Sequence, residues 1–139
     1  MKTAFLVILL FGLPAMANQI TCIGQNTSAK LVLGLTGKSF PLDSADYSYN
    51  GKTVPTSGYQ FGIESNKDGT AEKLTYKFLT LKKHKLANKK SNLIFSISEV
   101  GSESDPFAFT LRAGYQAQLA LENDGTETVL DQMTCTDAI

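Results

Sequence analysis

One histidine and a cluster of lysines are the most reactive-looking stretch of this chain. His84 stands among Lys82, Lys83, Lys85, Lys89 and Lys90 in LKKHKLANKKSN. Ammonium groups crowded at a loop tip would hold a phosphate, an anionic polysaccharide, a lipid head group or the acidic face of a protein. Such contacts weaken with salt, because exposed charges are screened over about 10 Å at 0.1 M. The alternating aromatics of a single-strand nucleic-acid platform are missing from the stretch. The competing reading is a solvated loop whose charge keeps the protein soluble. His84 is grouped with the lysines as a contact residue, because nothing equips it to be a catalyst. Zinc needs three or four protein ligands, and no G-x-S-x-G elbow accompanies the histidine. Lysines around an imidazole also disfavour its cationic form.

The carboxylates offer little more. Asp43 and Asp46 lie close together in LDSAD, and Glu103 and Asp105 alternate in SESD. Either pair would contribute oxygens to calcium, which takes six to eight, but neither has EF-hand spacing. Both pairs occupy segments with the serine and proline content of turns. Asn26-Thr27-Ser28 has the form of a glycosylation acceptor, a pattern common by chance.

Cys22 and Cys135 are the only cysteines. They form no C-x-x-C, and the single histidine is distant from both in sequence. The opening MKTAFLVILLFGLPAMA has a lysine, an apolar run, a proline break and an Ala-x-Ala site, so residues 1–17 read as a cleaved signal peptide. The run is too short to cross a bilayer as a helix, which takes about 20 residues. In an oxidising compartment the two thiols pair. A loop of ~100 residues closed by a disulfide stabilises by at most about 4.7 kcal/mol in the chain-entropy view.

Residues 18–139 then form one domain. The chain carries 13 basic and 13 acidic residues, and losing Lys2 tips it to one excess acid. That balance argues against a general nucleic-acid binder. The charge is divided along the chain, basic from Lys73 to Lys90 and acidic from Glu99 onward.

Period-2 alternation governs the segments that must carry these residues. Tyr59, Phe61 and Ile63 share one face, as do Leu93, Phe95 and Ile97, then Phe107, Phe109 and Leu111, then Tyr115, Ala117, Leu119 and Leu121. KLTYKFLTLKK is apolar on both faces. Asn50-Gly51, Asp68-Gly69 and Asp124-Gly125 mark tight hairpins. The similar stretches NKDGTAE and ENDGTET are turn chemistry used twice. About nine strands follow from this spacing, with little helix. The bridge requires the first and last strands to meet, since Cα atoms of paired cysteines lie within about 7 Å. The expected fold is all-β: a closed or nearly closed antiparallel meander barrel of about eight to ten short strands, with a β-sandwich as the alternative.

A small exported all-β domain does not by its fold declare a function. The features together point to a non-enzymatic binding protein, periplasmic or secreted. It would be an inhibitor or an envelope-associated protein, contacting a protein or anionic polymer through rim loops. Lys82, Lys83, His84, Lys85, Lys89 and Lys90 form the expected contact surface. The alternative is a carrier that holds a small apolar ligand inside the barrel, lined by the aromatics between Phe40 and Tyr115. No cofactor, metal, transmembrane segment or specific nucleic acid is expected, and the protein is read as a monomer.

Overall fold

A computed structural model describes residues 19–35, 41–65, 71–98, 111 and 114–138. The leader, the Asp68-Gly69 turn, Phe40, Phe107, Phe109, Glu103 and Asp105 lie outside the described residues. Within them the chain forms nine strands: β1 (Gln19–Gly24), β2 (Lys30–Leu35), β3 (Leu42–Tyr49), β4 (Lys52–Thr53), β5 (Thr56–Ser65), β6 (Ala71–Thr80), β7 (Asn92–Ser98), β8 (Ala117–Asn123) and β9 (Thr126–Ala138). All pair antiparallel in a single curled, half-barrel sheet. Its order is β4-β3-β2-β1-β9-β8-β7-β6-β5. Asp43 and Asp46, which the sequence places in a turn, belong to β3.

Every neighbouring pair but one is consecutive in the chain. The exception joins the ends: β1 pairs with β9 from Gln19 opposite Ala138 to Gly24 opposite Met133. Cys22 lies directly opposite Cys135, their Cα atoms 4.0 Å apart, and the two form a disulfide. The first and last strands therefore meet in the middle of the sheet.

The alternation sends one side chain in two to the concave face. Ile20, Leu31, Leu33, Leu74, Tyr76, Leu93, Phe95, Ile97 and Leu119 are essentially inaccessible there, and both cysteines are buried among them. Burying each large apolar side chain stabilises by roughly 1.5–3 kcal/mol. Two hairpin turns use the dipeptides the sequence offers. Asn50 and Gly51 have φ of 53° and 75°, and Asp124 and Gly125 have 52° and 80°. Positive φ at both central residues is the twist-matched hairpin turn.

The sheet is open between β4 and β5, which are joined only by Val54 and Pro55. This short link passes from one edge to the other. Val54 N–H donates to the Tyr47 carbonyl at 2.9 Å, and the Pro55 carbonyl accepts from Leu81 N–H at 2.8 Å. Farther along the opening, a side chain replaces the missing ladder. The Tyr59 hydroxyl accepts from Leu42 N–H at 2.7 Å and points a longer bond at the Leu42 carbonyl, 3.5 Å away. A second tyrosine repeats the device. β9 runs beyond the end of β8, and the Tyr115 hydroxyl takes up the free backbone of Cys135, accepting its N–H at 2.7 Å and donating to its carbonyl at 2.9 Å.

Asp131 comes from an irregularity. Leu119 pairs with Asp131 but Ala120 pairs with Val129, so Leu130 is an extra residue in β9. Such a bulge re-aims the side chains beside it. The Asp131 carboxylate, buried, accepts Thr27 N–H at 2.8 Å, the Thr27 hydroxyl at 2.7 Å, Asn26 N–H at 3.0 Å and the Asn26 amide at 3.2 Å. Burial pushes its pKa up, but these bonds together outweigh burial and hold the carboxyl below its ordinary value.

Candidate functional site: a lysine-rimmed groove

The β1–β2 loop, the β3–β4 turn, the segment from Leu81 to Ser91 and the β8–β9 turn gather at one end of the sheet. Ser28 donates to the Asn50 side chain at 2.6 Å, Ser91 to the Asn123 side chain at 2.6 Å, and Lys89 pairs with Asp124 at 3.4 Å. This end is the rim on which the basic stretch is displayed.

The stretch folds back on itself at His84. Its N–H donates to the Lys89 carbonyl at 2.9 Å, and its carbonyl accepts from Asn88 N–H at 2.7 Å and Ala87 N–H at 3.1 Å. Asn88 closes the turn at φ 52°. The lysines around this turn stay in solvent, but the imidazole points inward and is fully buried. It stacks on Tyr47 at 5.7 Å and tilts against Tyr49 at 5.2 Å. Leu86 N–H donates to Nδ1 at 3.2 Å, so the proton of the neutral ring sits on Nε2. Nε2 then donates to the Tyr47 hydroxyl, 2.7 Å away.

His84 is therefore removed from the contact surface to which the sequence assigned it. It is a plug in the barrel end, and a partner cannot reach it. Its pKa is lowered by burial; proximity to lysine is not the cause. Burial, with a smaller contribution from Tyr49, raises the Tyr47 phenol far above its ordinary value. The pair is neutral near pH 7, and its role is to seat the loop.

Three of the five lysines converge on a groove of about 350 Å³. Lys82, Lys83 and Lys85 form one wall. Lys52 of β4 forms another, and Tyr49, Val54 and Pro55 supply an apolar floor. No carboxylate is among the lining residues. Lys52 and Tyr49 were not visible as site residues in the sequence, since they lie some thirty positions before the basic stretch; only the hairpin at Asn50-Gly51 hinted that β3 and β4 end at a tip. Lys89 and Lys90 are exposed on the same loop but outside the groove, with Lys89 turned to Asp124.

A groove lined by four lysines together with tyrosine, valine and proline is suited to an anionic group whose carbon skeleton packs on the apolar residues. Lysines act here as mobile point charges, which suits phosphate, sulfate or carboxylate without a fixed bidentate geometry. The concave face offers a different environment, filled by the aromatic and aliphatic side chains of the core.

Among the described residues no three histidine, cysteine or carboxylate side chains gather in a way that would hold a metal ion. Nor is any described helix long and apolar enough to cross a membrane. No protein-family model, curated protein or solved structure matches this chain.

Proposed function

We propose that this is an exported, non-enzymatic binding protein that grips an anionic polymer through the groove of Lys52, Lys82, Lys83 and Lys85. The observation that carries the reading is the convergence of four cations from two separate hairpins on an apolar floor with no carboxylate among its lining. A solvated loop would need no such convergence. Lys89 and Lys90 extend the positive surface along the same rim, which suits a ligand with repeated charges more than a lone anion. Export is supported by the leader-like opening and by a disulfide that fits an oxidising compartment.

Calorimetric titration of the oxidised protein with a sulfated or phosphorylated polysaccharide, and with its neutral counterpart, tests the proposal. Binding to the charged polymer alone is expected, falling steeply between low and physiological salt. The quadruple variant with serine at positions 52, 82, 83 and 85 should bind at least about tenfold more weakly, a loss of ~1.4 kcal/mol. Unchanged affinity in that variant would remove the groove from the function.

A further inference from the structure

The second half of β5 runs along the open edge of the sheet, and its core-side residues are poorly covered. Its inward-facing Phe61 and Ile63 remain 43% and 36% exposed, although their ladder partners Tyr76 and Leu74 are completely buried. No described strand pairs with its outer edge beyond the Tyr59 contact. The opposite edge of the sheet is protected in the usual ways: β4 is two residues long and carries Lys52. β5 has ten residues, TSGYQFGIES, with no lysine and no proline. Its register with β6 shifts between Ser57 and Gln60 and again between Glu64 and Ser65, but from Gln60 to Glu64 it is regular. A regular apolar stretch whose outer edge no described strand covers is a template for pairing with another strand.

We propose that this edge pairs with the same edge of a second copy of the chain, antiparallel about Gly62. A two-fold contact must be self-complementary, and the register about Gly62 meets that condition. It sets Phe61 opposite the other copy's Ile63 twice, so the two exposed apolar strips cover each other. An aromatic and a β-branched residue make a favourable cross-strand pair. The same register sets Glu64 opposite Gln60, so no like charges meet. Gly62 faces Gly62, and no atom lies near the position a Cβ would occupy there, which leaves the backbones free to approach. Two nine-stranded sheets become one continuous sheet, and the monomer expected from the sequence gives way to a dimer. The lysine groove lies at the Thr56 end of β5 and stays open, so the pairing does not depend on the anion-binding proposal.

The contact involves only a few residues from each copy, so the dimer is weak and concentration-dependent. Sedimentation velocity of the oxidised protein from low micromolar to near-millimolar concentration reads it directly. Wild-type protein should shift from monomer to dimer across this range. F61K and I63E should each stay monomeric alone. An equimolar mixture of the two should dimerise. In the mixed dimer the introduced lysine of one copy faces the introduced glutamate of the other, while the second Phe61–Ile63 pair survives unchanged. A wild-type protein monomeric throughout, a dimer that survives both substitutions, or a mixture that fails to dimerise would each overturn the proposal.

Discussion

The Tyr47 hydroxyl and the Nε2 atom of His84 lie 2.7 Å apart beneath a loop whose lysines all face solvent. The most exposed-looking stretch of the sequence is thus anchored by its one neutral, buried ring. Because Nδ1 already accepts from Leu86 N–H, a second proton on the imidazole would have to break that bond.

Acid should therefore weaken the fold through His84. Its folded pKa lies below the ordinary value. Above about pH 6.5 the ring is neutral in both the folded and unfolded states, and stability does not depend on it. As pH falls from there, the unfolded chain takes up a proton that the folded chain refuses, so stability declines until the lowered folded pKa is reached. Urea midpoints measured between pH 8 and 5 should fall for wild-type protein. His84→Gln should start less stable and lose this slope.

Asp131 should govern a separate, more acidic window. Its folded pKa is depressed, so its contribution is complete above about pH 4 and is lost as pH falls through the folded value. Hydrogen bonds to a charged group contribute about 1.5–3 kcal/mol. Asp131→Ala removes all of them and leaves the Asn26 and Thr27 N–H groups without this acceptor. A loss of about 2 kcal/mol or more at pH 7 is expected from denaturant unfolding. Gly24→Ala should also destabilise, since a Cβ there would collide with the Asp131 carboxylate and the Thr27 hydroxyl.

The opening of the sheet should be measurable one hydroxyl at a time. Tyr59→Phe deletes the acceptor of Leu42 N–H across the β3–β5 gap. A single net hydrogen bond contributes about 0.5–1.5 kcal/mol. Amide exchange at Leu42 should accelerate, with β1, β8 and β9 little changed. Tyr115→Phe should do the same to the Cys135 amide. If Leu42 exchange is unaffected, the tyrosine does not hold the edges together.

The disulfide should contribute substantially to stability without being needed for strand order. Thiol titration of denatured, unreduced protein should find no free cysteine. Reduction should lower unfolding free energy by up to about 4.7 kcal/mol, the chain-entropy value for a loop of ~100 residues. Both sulfurs are buried in the core, so reduction of the folded protein should be slow.

Several of these features were legible before any coordinates. The pairing of Cys22 with Cys135 follows from their number and placement, and the hairpins at Asn50-Gly51 and Asp124-Gly125 follow from turn chemistry. Alternation also revealed the buried Leu93, Phe95 and Ile97 of β7 and Ala117, Leu119 and Leu121 of β8, but not Ile94 and Ala120, which pair with each other and are buried on the other face. The position of the opening was not legible. Nothing in Val54-Pro55 distinguishes a link between two sheet edges from an ordinary loop, because edge status depends on which strands fail to pair. The inward turn of His84 was equally hidden. Its neighbours in sequence are lysines, while its partners Tyr47 and Tyr49 come from β3. Nothing in the sequence singles out Asp131, because its partners Asn26 and Thr27 lie more than a hundred positions away and a one-residue bulge aims it at them.

The meeting of β1 and β9 has a consequence for the order in which the molecule can be made. Among the described strands the runs β1 to β4 and β5 to β9 are each meanders, and every ladder within them joins consecutive strands. Among the described strands one ladder unites them, between residues 113 positions apart at the cysteines, with side-chain contacts such as Tyr59 to Leu42 and His84 to Tyr47 added across the opening. Local hairpins form early, whereas contacts distant in sequence wait for loop closure. A chain made from its N-terminus must keep β1 unpaired on one side until β9 appears. The centre of the finished sheet is the final part to be assembled. Joining Ala138 to Gln19 with a short linker and cutting at Val54-Pro55 would give a chain in which every described strand follows its spatial neighbour, and that permuted protein should fold faster than the natural one.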